Sequence, residues 1–315
     1  LRAIPLFSLL LGGWCVIPAY AGEAQDWLNR LSQAEQQQSF QGTFVYERNG
    51  SFSTHNIWHR VQDGKVRERL LQLDGSAQEV LRIDGRTQCV SGSLIAGVGN
   101  TPEGAARALD PQKLKNWYDL AVIGKSRVAG RPAVIVALTP KDQHRYGFEL
   151  HLDRETGLPL KSLLLNDKGQ LLERFQFTRL NITAPSDGDL QATAECKVVA
   201  QNPAQSAKAK TAWRSDWLPP GFELTSSGMR KDPETNVQVN SLMYEDGLAR
   251  FSVFLEPLNG GTVTDTRTQL GPTAAVSRRL TTPQGEMMVT VVGEIPIGTA
   301  ERIALSMRSD VTATQ

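Results

Sequence analysis

The chain has 315 residues, 40% of them hydrophobic and 21% charged, with 34 Lys and Arg set against 33 Asp and Glu. That composition belongs to a folding chain rather than a disordered or collagen-like one, and the length suits two domains, each large enough for its own core. The near-zero net charge excludes nucleic-acid binding as a first reading, because neutralising phosphates needs a basic face and no basic run here is long enough.

In chain order, Arg2 precedes the apolar run Leu6–Ile17, which is followed by Pro18 and the small-x-small exit Ala19-Tyr20-Ala21. Residues 1–21 thus read as a secretory signal peptide, too short to span a bilayer, which takes about 20 apolar residues. Bulky Trp14 before Cys15 argues against a lipid anchor, so the expected product is exported and begins at Gly22. Without Cys15, two cysteines remain, Cys89 and Cys196. Two readings of them stay open: a disulfide, which an oxidising compartment permits, or two separate buried thiols.

Glu23–Gln38 places Trp27, Leu28, Leu31 and Ala34 on one helical face. From Phe40 the period becomes two, with Phe40, Phe44 and Tyr46 opposed to Gln41, Thr43 and Glu47, as in a half-buried strand. The turn pairs Asn49-Gly50, Asp63-Gly64, Asp74-Gly75 and Asp84-Gly85 separate the strand-like segments Thr54–Val61, Lys65–Leu73, Gln78–Ile83 and Thr87–Ser91. Together they predict an antiparallel meander. Ser91–Gly104 is rich in Gly and small residues and reads as a loop. Asp110 as N-cap and Pro111 at the first helical position predict a helix with Leu114, Trp117 and Tyr118 on its apolar side. Strand patterns resume over Leu120–Val128, Pro132–Pro140, Arg145–Leu152, Leu158–Asn166 and Leu171–Ile182.

The fold class is therefore α+β: a large curved antiparallel sheet, a half-open barrel with helices against its concave side, over residues 22–196. Lys197–Ala212 is dominated by Ala, Lys, Gln and Ser and has linker composition. A smaller antiparallel α+β domain follows over residues 213–309, with a tail at 310–315. Its strand patterns are Phe222–Met229, Val237–Tyr244, Leu248–Pro257, Ala274–Leu280 and Glu286–Glu294. Thr299 is positioned to cap a last helix carrying Ala300, Ile303, Ala304 and Met307 on one face.

The chemistry-bearing residues are sparse. The sequence has 4 histidines, His55, His59, His144 and His151. His55 and His59 fall on a predicted strand, where positions four apart lie about 13 Å from each other, too far to share a metal. There is no G-x-S-x-G elbow, phosphate loop or dinucleotide fingerprint, and Gly97-Val98-Gly99 reads as loop. The expectation is no catalytic residue, no metal site and no cofactor: a binding protein, not an enzyme. A curved sheet with helices against its hollow side can enclose an apolar cavity, and Phe44, Tyr46, Trp58, Leu71, Phe148 and Leu150 are the candidates to line it.

Several runs resemble one family: Ser39–Tyr46, Arg127–Ala133 and Arg145–Pro159 in the first half, Trp217–Phe222 and Asp246–Phe254 in the second. They are similar to the MucB/RseB family of periplasmic sigma-factor regulators over nearly the whole chain that follows the signal peptide. The resemblance implies a first domain like the lipoprotein carriers LolA and LolB, and a small C-terminal domain. It also implies a periplasmic location and binding to the periplasmic domain of a MucA- or RseA-type anti-sigma factor. Bound there, the protein would shield that partner from regulated proteolysis until a lipid or lipopolysaccharide signal released it; a homodimer is also implied. The rival reading is a periplasmic lipoprotein or lipid carrier of LolA type. For partner contact the candidates are Trp217, Phe222, Arg250, Phe251 and Phe254, Arg250 because it stands between apolar neighbours on an exposed parity.

Overall fold

The computed structural model describes residues 20–76, 78–92, 109–199, 212–231, 237–258, 264–283 and 285–310. All but the last two residues of the expected signal peptide 1–21, most of the predicted loop and linker, and the last five residues lie outside these.

Helix α1 (Tyr20–Gln37) opens the described chain. Its buried residues Ala24, Leu28, Leu31 and Ala34 recur every three or four positions, which puts one stripe against the sheet. The meander follows as β1 (Phe40–Arg48), β2 (Ser51–Gln62), β3 (Lys65–Gln72), β4 (Glu79–Ile83) and β5 (Arg86–Val90). Asn49-Gly50, Asp63-Gly64, Asp84-Gly85 and Ala129-Gly130 all have positive φ at both residues. Such turns match the right-handed twist of the strands they join, which is why Asn and Asp precede glycine in three of them. Helix α2 (Pro111–Leu114) is a single turn, capped as expected by the Asp110 carboxylate on the Gln112 and Lys113 N–H groups. It ends before Trp117 and Tyr118, because Tyr118 already belongs to β6 (Tyr118–Val128). Then come β7 (Arg131–Pro140), β8 (Gly147–Asp153), β9 (Pro159–Leu165), β10 (Leu171–Asn181) and β11 (Lys197–Val198).

These strands form one 11-stranded antiparallel sheet in the order β11-β5-β4-β3-β2-β1-β10-β9-β8-β7-β6. Its end strands β11 and β6 stay unpaired to each other, so the sheet is an open curl and not a closed barrel. Helix α1 fills part of the hollow. Ala24, Leu28 and Leu31 pack with Leu120, Val134, Val136, Leu138, Leu150 and Leu152, while Ala34 packs with Phe40, Phe44, Leu158 and Phe177.

A strap, residues 183–196, crosses the opposite face. Arg60 holds the Pro185 carbonyl and the Asp187 carboxylate, and Arg69 donates to the Asp189 carbonyl. Leu190 is fully buried. Glu79, 1% exposed, accepts from Arg69 Nε at 2.6 Å and from the Thr193 N–H and hydroxyl, so its charge is matched on every side. The strap ends in the disulfide Cys89–Cys196 and in the pairing of β11 with β5, so Lys197 and Val198 continue the sheet.

The second unit is a 6-stranded antiparallel sheet, β13 (Glu223–Lys231), β14 (Gln238–Glu245), β15 (Arg250–Pro257), β18 (Gly285–Gly293), β17 (Thr273–Thr282) and β16 (Thr266–Leu270) in spatial order. Helix α3 (Ile297–Ser306) covers one face, and a small ribbon pairs β12 (Trp213–Ser215) with β19 (Met307–Ser309). Several details depart from the sequence reading: the ribbon is not among the predicted strands, and Met307, read onto the face of the last helix, lies past its end in β19. Strand β16 carries no apolar alternation, since all its residues are exposed at a sheet edge. Thr299 sits inside α3, and Pro296 occupies the cap position without a side-chain hydrogen bond.

The disulfide closes a sequence separation of 107 residues, and long closed loops restrict the unfolded chain most. The double substitution Cys89→Ser, Cys196→Ser is expected to lower unfolding stability by about 2–4 kcal/mol, read from the urea midpoint. A midpoint equal to that of the oxidised protein would show that the Glu79 network alone holds the strap.

Candidate functional site

The cross-strand register sorts the cavity candidates by face. Tyr46, Phe175, Ser162, Leu150 and Val136 stand opposite one another across β1, β10, β9, β8 and β7, forming one rank on the α1 side. Phe44, Tyr46, Phe148 and Leu150 therefore share the hollow face. Phe44 and Leu150 are 7% and 8% exposed, closed off by the protein's own helix. Around Phe44 the rings of His55, Phe175 and Phe177 lie at 5.1, 4.7 and 5.9 Å. Tyr46, Ile57, Leu70 and Phe175 are half-buried at the margin of that cluster. Tyr46 donates to Glu173 Oε2 at 2.6 Å, and burial holds its hydroxyl well above the ordinary tyrosine range.

Trp58 and Leu71 do not belong to this hollow. Phe40 pairs with His59 and Phe44 with His55, so the odd residues of β2 share the α1 face and Trp58 points the other way. Leu71 pairs with Asn56 and lies on the same outer face as Trp58.

The two units meet at a seam built around Arg145, whose side chain is fully buried, as is that of Asp246 across from it. Nη1 donates to Asp246 at 2.6 Å, Nη2 to the Pro220 carbonyl at 2.6 Å and to Asp142 at 2.9 Å, and Nε to Asp142 at 3.1 Å. The aromatic rings of Phe222, Tyr118 and Trp117 surround the guanidinium at 5.2, 5.6 and 5.8 Å. Asp246 also accepts from the Leu248 and Ala249 N–H groups. Burial pushes its carboxyl up from the ordinary value, while those two N–H groups and Arg145 pull it back down. Leu248 packs onto the α1 cluster of the first unit. Gly221 has φ +86°, and a Cβ there would be driven into the Trp117 indole, so only glycine lets the Pro219–Phe222 turn close.

Around this centre Tyr146 donates to the Ile295 carbonyl at 3.2 Å and His144 Nδ1 meets Thr299 Oγ1 at 3.1 Å. Arg48 reaches Glu294 at 3.3 Å and also bonds Thr273. A cleft of about 290 Å³ opens beside the seam, lined by Asp110, Lys113, Trp117, Glu223 and Glu245 among others.

The partner-contact candidates divide in the same way. Phe222 and Phe251, 5% and 1% exposed, are core residues and not surface contacts. Phe251 shares its parity with Val253 and Leu255, which face α3, and Phe222 and Tyr244 pack on it at 5.2 and 5.1 Å. Trp217 is half-buried, with the Arg302 guanidinium 3.8 Å over its ring and His144 at its edge. Exposed Arg250 and half-buried Phe254 stand on the other face of the sheet, away from α3. No group of three or more His, Cys, Asp or Glu arranged to hold a metal occurs among the described residues, and no described helix is long and apolar enough to cross a membrane.

A family model described as the MucB/RseB N-terminal domain matches residues 23–205, and one described as the MucB/RseB C-terminal domain matches residues 207–308. The chain belongs to the MucB/RseB family. It is 65% identical to the sigma factor AlgU regulatory protein MucB of Pseudomonas aeruginosa, over 97% of each chain. The sigma-E factor regulatory protein RseB of Escherichia coli is 28% identical, over 89% of each. Among solved structures, the P. aeruginosa MucA/MucB complex matches with TM-score 0.84 and 64% identity, covering 92% of this chain and 100% of that one. MucB in complex with MucA(peri) gives 0.80 at 65% identity over 92% and 100%, and MucB alone gives 0.69 at 62% over 91% and 98%.

In this MucB/RseB family member the seam's centre was not legible as a site. Asp246-Gly247 reads as a hairpin turn and Arg145 as the start of a strand; nothing local says that the two meet. Removing one member of a buried pair leaves the other charge unmatched. Arg145→Met is therefore expected to cost about 3–5 kcal/mol and to split one calorimetric unfolding transition into two. A single transition at the parent temperature would show that the seam is held elsewhere.

Burial disfavours the charged form of His55, His144 and His151 and holds each below the ordinary value of 6.5. The unfolded chain then binds more protons at mildly acidic pH. Their contribution is present above pH 6.5 and is lost as the pH falls through their lowered folded values. The urea midpoint is expected to drop between about pH 7.5 and about pH 5.5, and His144→Gln should reduce that drop; a flat profile would contradict this.

Proposed function

We propose that this protein is a periplasmic negative regulator of an envelope-stress sigma factor. It would bind the periplasmic domain of a MucA- or RseA-type anti-sigma factor and protect that domain from regulated proteolysis. One observation carries the reading: the 65% identity to MucB along 97% of the chain, together with structures in which MucB is held in a complex with MucA. The buried Arg145–Asp246 cluster ties the two units together, so a partner would meet them as one body. Arg250 and Phe254, on the sheet face away from α3, are the surface residues proposed to meet the partner. The expected limits, 22–196 and 213–309, with β11 carrying the first sheet on to Val198, would divide a unit that senses lipid from one that binds the partner.

Release by lipid or lipopolysaccharide is the second part of the proposal. It is supported by the half-buried apolar margin of Tyr46, Ile57, Leu70 and Phe175 beside the end of α1. Each methylene of an acyl chain buried there contributes about 0.8 kcal/mol, so a few carbons suffice to bias a two-state equilibrium. The homodimer implied by the resemblance completes the reading, and sedimentation of the purified protein tests it.

The decisive experiment is calorimetric titration of the purified protein with the periplasmic domain of a MucA-type partner, with and without lipopolysaccharide. Saturable binding is expected, weakened about tenfold by Arg250→Glu together with Phe254→Ala and weakened again by lipopolysaccharide. Linkage requires the partner to weaken lipopolysaccharide binding by the same factor. Absence of partner binding would reject the regulator reading; two independent titrations would reject only the release mechanism.

A further inference from the structure

The outer face of the large sheet, away from α1, carries a cleft of about 280 Å³ that the partner reading does not use. It is lined by the side chains of Gln41, Thr43, Asn56, Trp58, Arg179 and Asn181, with the backbone of Gly42. These six side chains come from three adjacent strands in two ranks. Asn181, Gln41 and Trp58 stand opposite one another in one rank, and Arg179, Thr43 and Asn56 in the next. Neighbouring strands lie about 4.8 Å apart and residues of one face about 6.7 Å apart along a strand, so the tips frame an area of sugar-ring size.

The backbone cannot recognise anything here. Strand β1 is paired on both sides, to β2 and to β10, and at the bulge beside Thr43 that residue's carbonyl accepts from the Thr178 hydroxyl, so no peptide strand can add. Recognition falls to the side-chain tips. Thr43 Oγ1 donates to Asn56 Oδ1 at 2.7 Å, which leaves the Asn56 Nδ2 hydrogens for a ligand. Gln41 Nε2 donates to Thr183 Oγ1 at 3.2 Å, which leaves its carbonyl oxygen as acceptor. The Trp58 ring is backed by the Arg69 guanidinium at 4.8 Å, and Arg69 is itself fixed by buried Glu79, so the indole is held in place before any ligand arrives. The lining holds one guanidinium and no carboxylate. Among the described residues Arg179 has no ion-pair partner.

An apolar ligand would offer nothing to the Asn181 carboxamide, the Asn56 Nδ2 hydrogens or the Gln41 carbonyl oxygen, and a bare anion would leave the indole unused. A pyranose ring meets all of them. Its C–H face packs on the indole, its hydroxyls exchange hydrogen bonds with the amides and Thr43, and a ring carboxylate fits the Arg179 fork. We propose that this cleft binds a hexuronate residue of an acidic oligosaccharide, with Trp58 as the stacking platform and Arg179 as the carboxylate clamp. The proposal does not rest on the partner reading.

The test is calorimetric titration of the oxidised full chain with tetragalacturonate, and with maltotetraose as the neutral probe of equal length. Saturable binding of the acidic tetramer is expected, at least tenfold tighter than the neutral one. Arg179→Gln should abolish that preference, and Asn181→Ala, at an exposed position, should weaken both probes several-fold. Trp58→Ala should remove binding of both; because Trp58 also packs on Arg69, Trp58→Phe serves as the variant that keeps a ring there, with binding reduced but retained. Absence of saturable binding at millimolar concentration overturns the proposal. So does binding that Arg179→Gln and Asn181→Ala leave unchanged.

Discussion

A guanidinium withdrawn from water must be matched on every side, and the way Arg145 is matched sets the arrangement of the two sheets. Its own unit supplies Asp142; the other supplies Asp246 and the Pro220 carbonyl. Stripping such a charge of water costs several kcal/mol, which only well-aligned acceptors offset. The second sheet therefore has few orientations open to it. The turn at Gly221 and the hairpin at Asp246 must approach together, with the Trp117 indole seated against the glycine. A seam of this kind is closer to all-or-none than to a graded contact, since a partial opening leaves a buried charge unmatched.

Strand β8 links this seam to the hollow. It begins two residues after Arg145 and carries Leu150 and Leu152 into the cluster under α1. Its lead-in supplies Tyr146, bonded to the Ile295 carbonyl of the second unit. An occupant that lifted α1 from Leu150 and Leu152 would thus act on the strand that delivers the seam's central residue. Strand β8, with one end in each place, gives such an effect a contiguous route.

Most of the architecture could be read from residues alone, because it rests on local signals. Asn-Gly and Asp-Gly pairs predict turns whose φ values are positive where only such residues sit easily, and the spacing of Ala24, Leu28, Leu31 and Ala34 predicts the buried stripe of α1. Reading failed where the deciding partner was distant. Strand β16 is wholly exposed and so has no alternation to detect. Trp58 and Phe44 look alike as aromatic strand residues, yet the register of β1 against β2 puts them on opposite faces. Phe222 and Phe251 suit an interface as well as a core until α3 is seen covering them. Cys89 and Cys196 left two readings open because the strap that brings them together bears no signature of its own. The long runs shared with the MucB/RseB family carried the functional expectation that composition and spacing could not.

The crosslink at Cys89–Cys196 has a further consequence. Strands β6 to β10 all lie between the two cysteines along the chain, while β1 to β5 lie before or at the first. A single backbone nick anywhere between them would leave both fragments tethered, with the meander still covalently joined to the segment that leads into the second sheet. One cut there would not by itself part the molecule in two; losing the tether as well would be required.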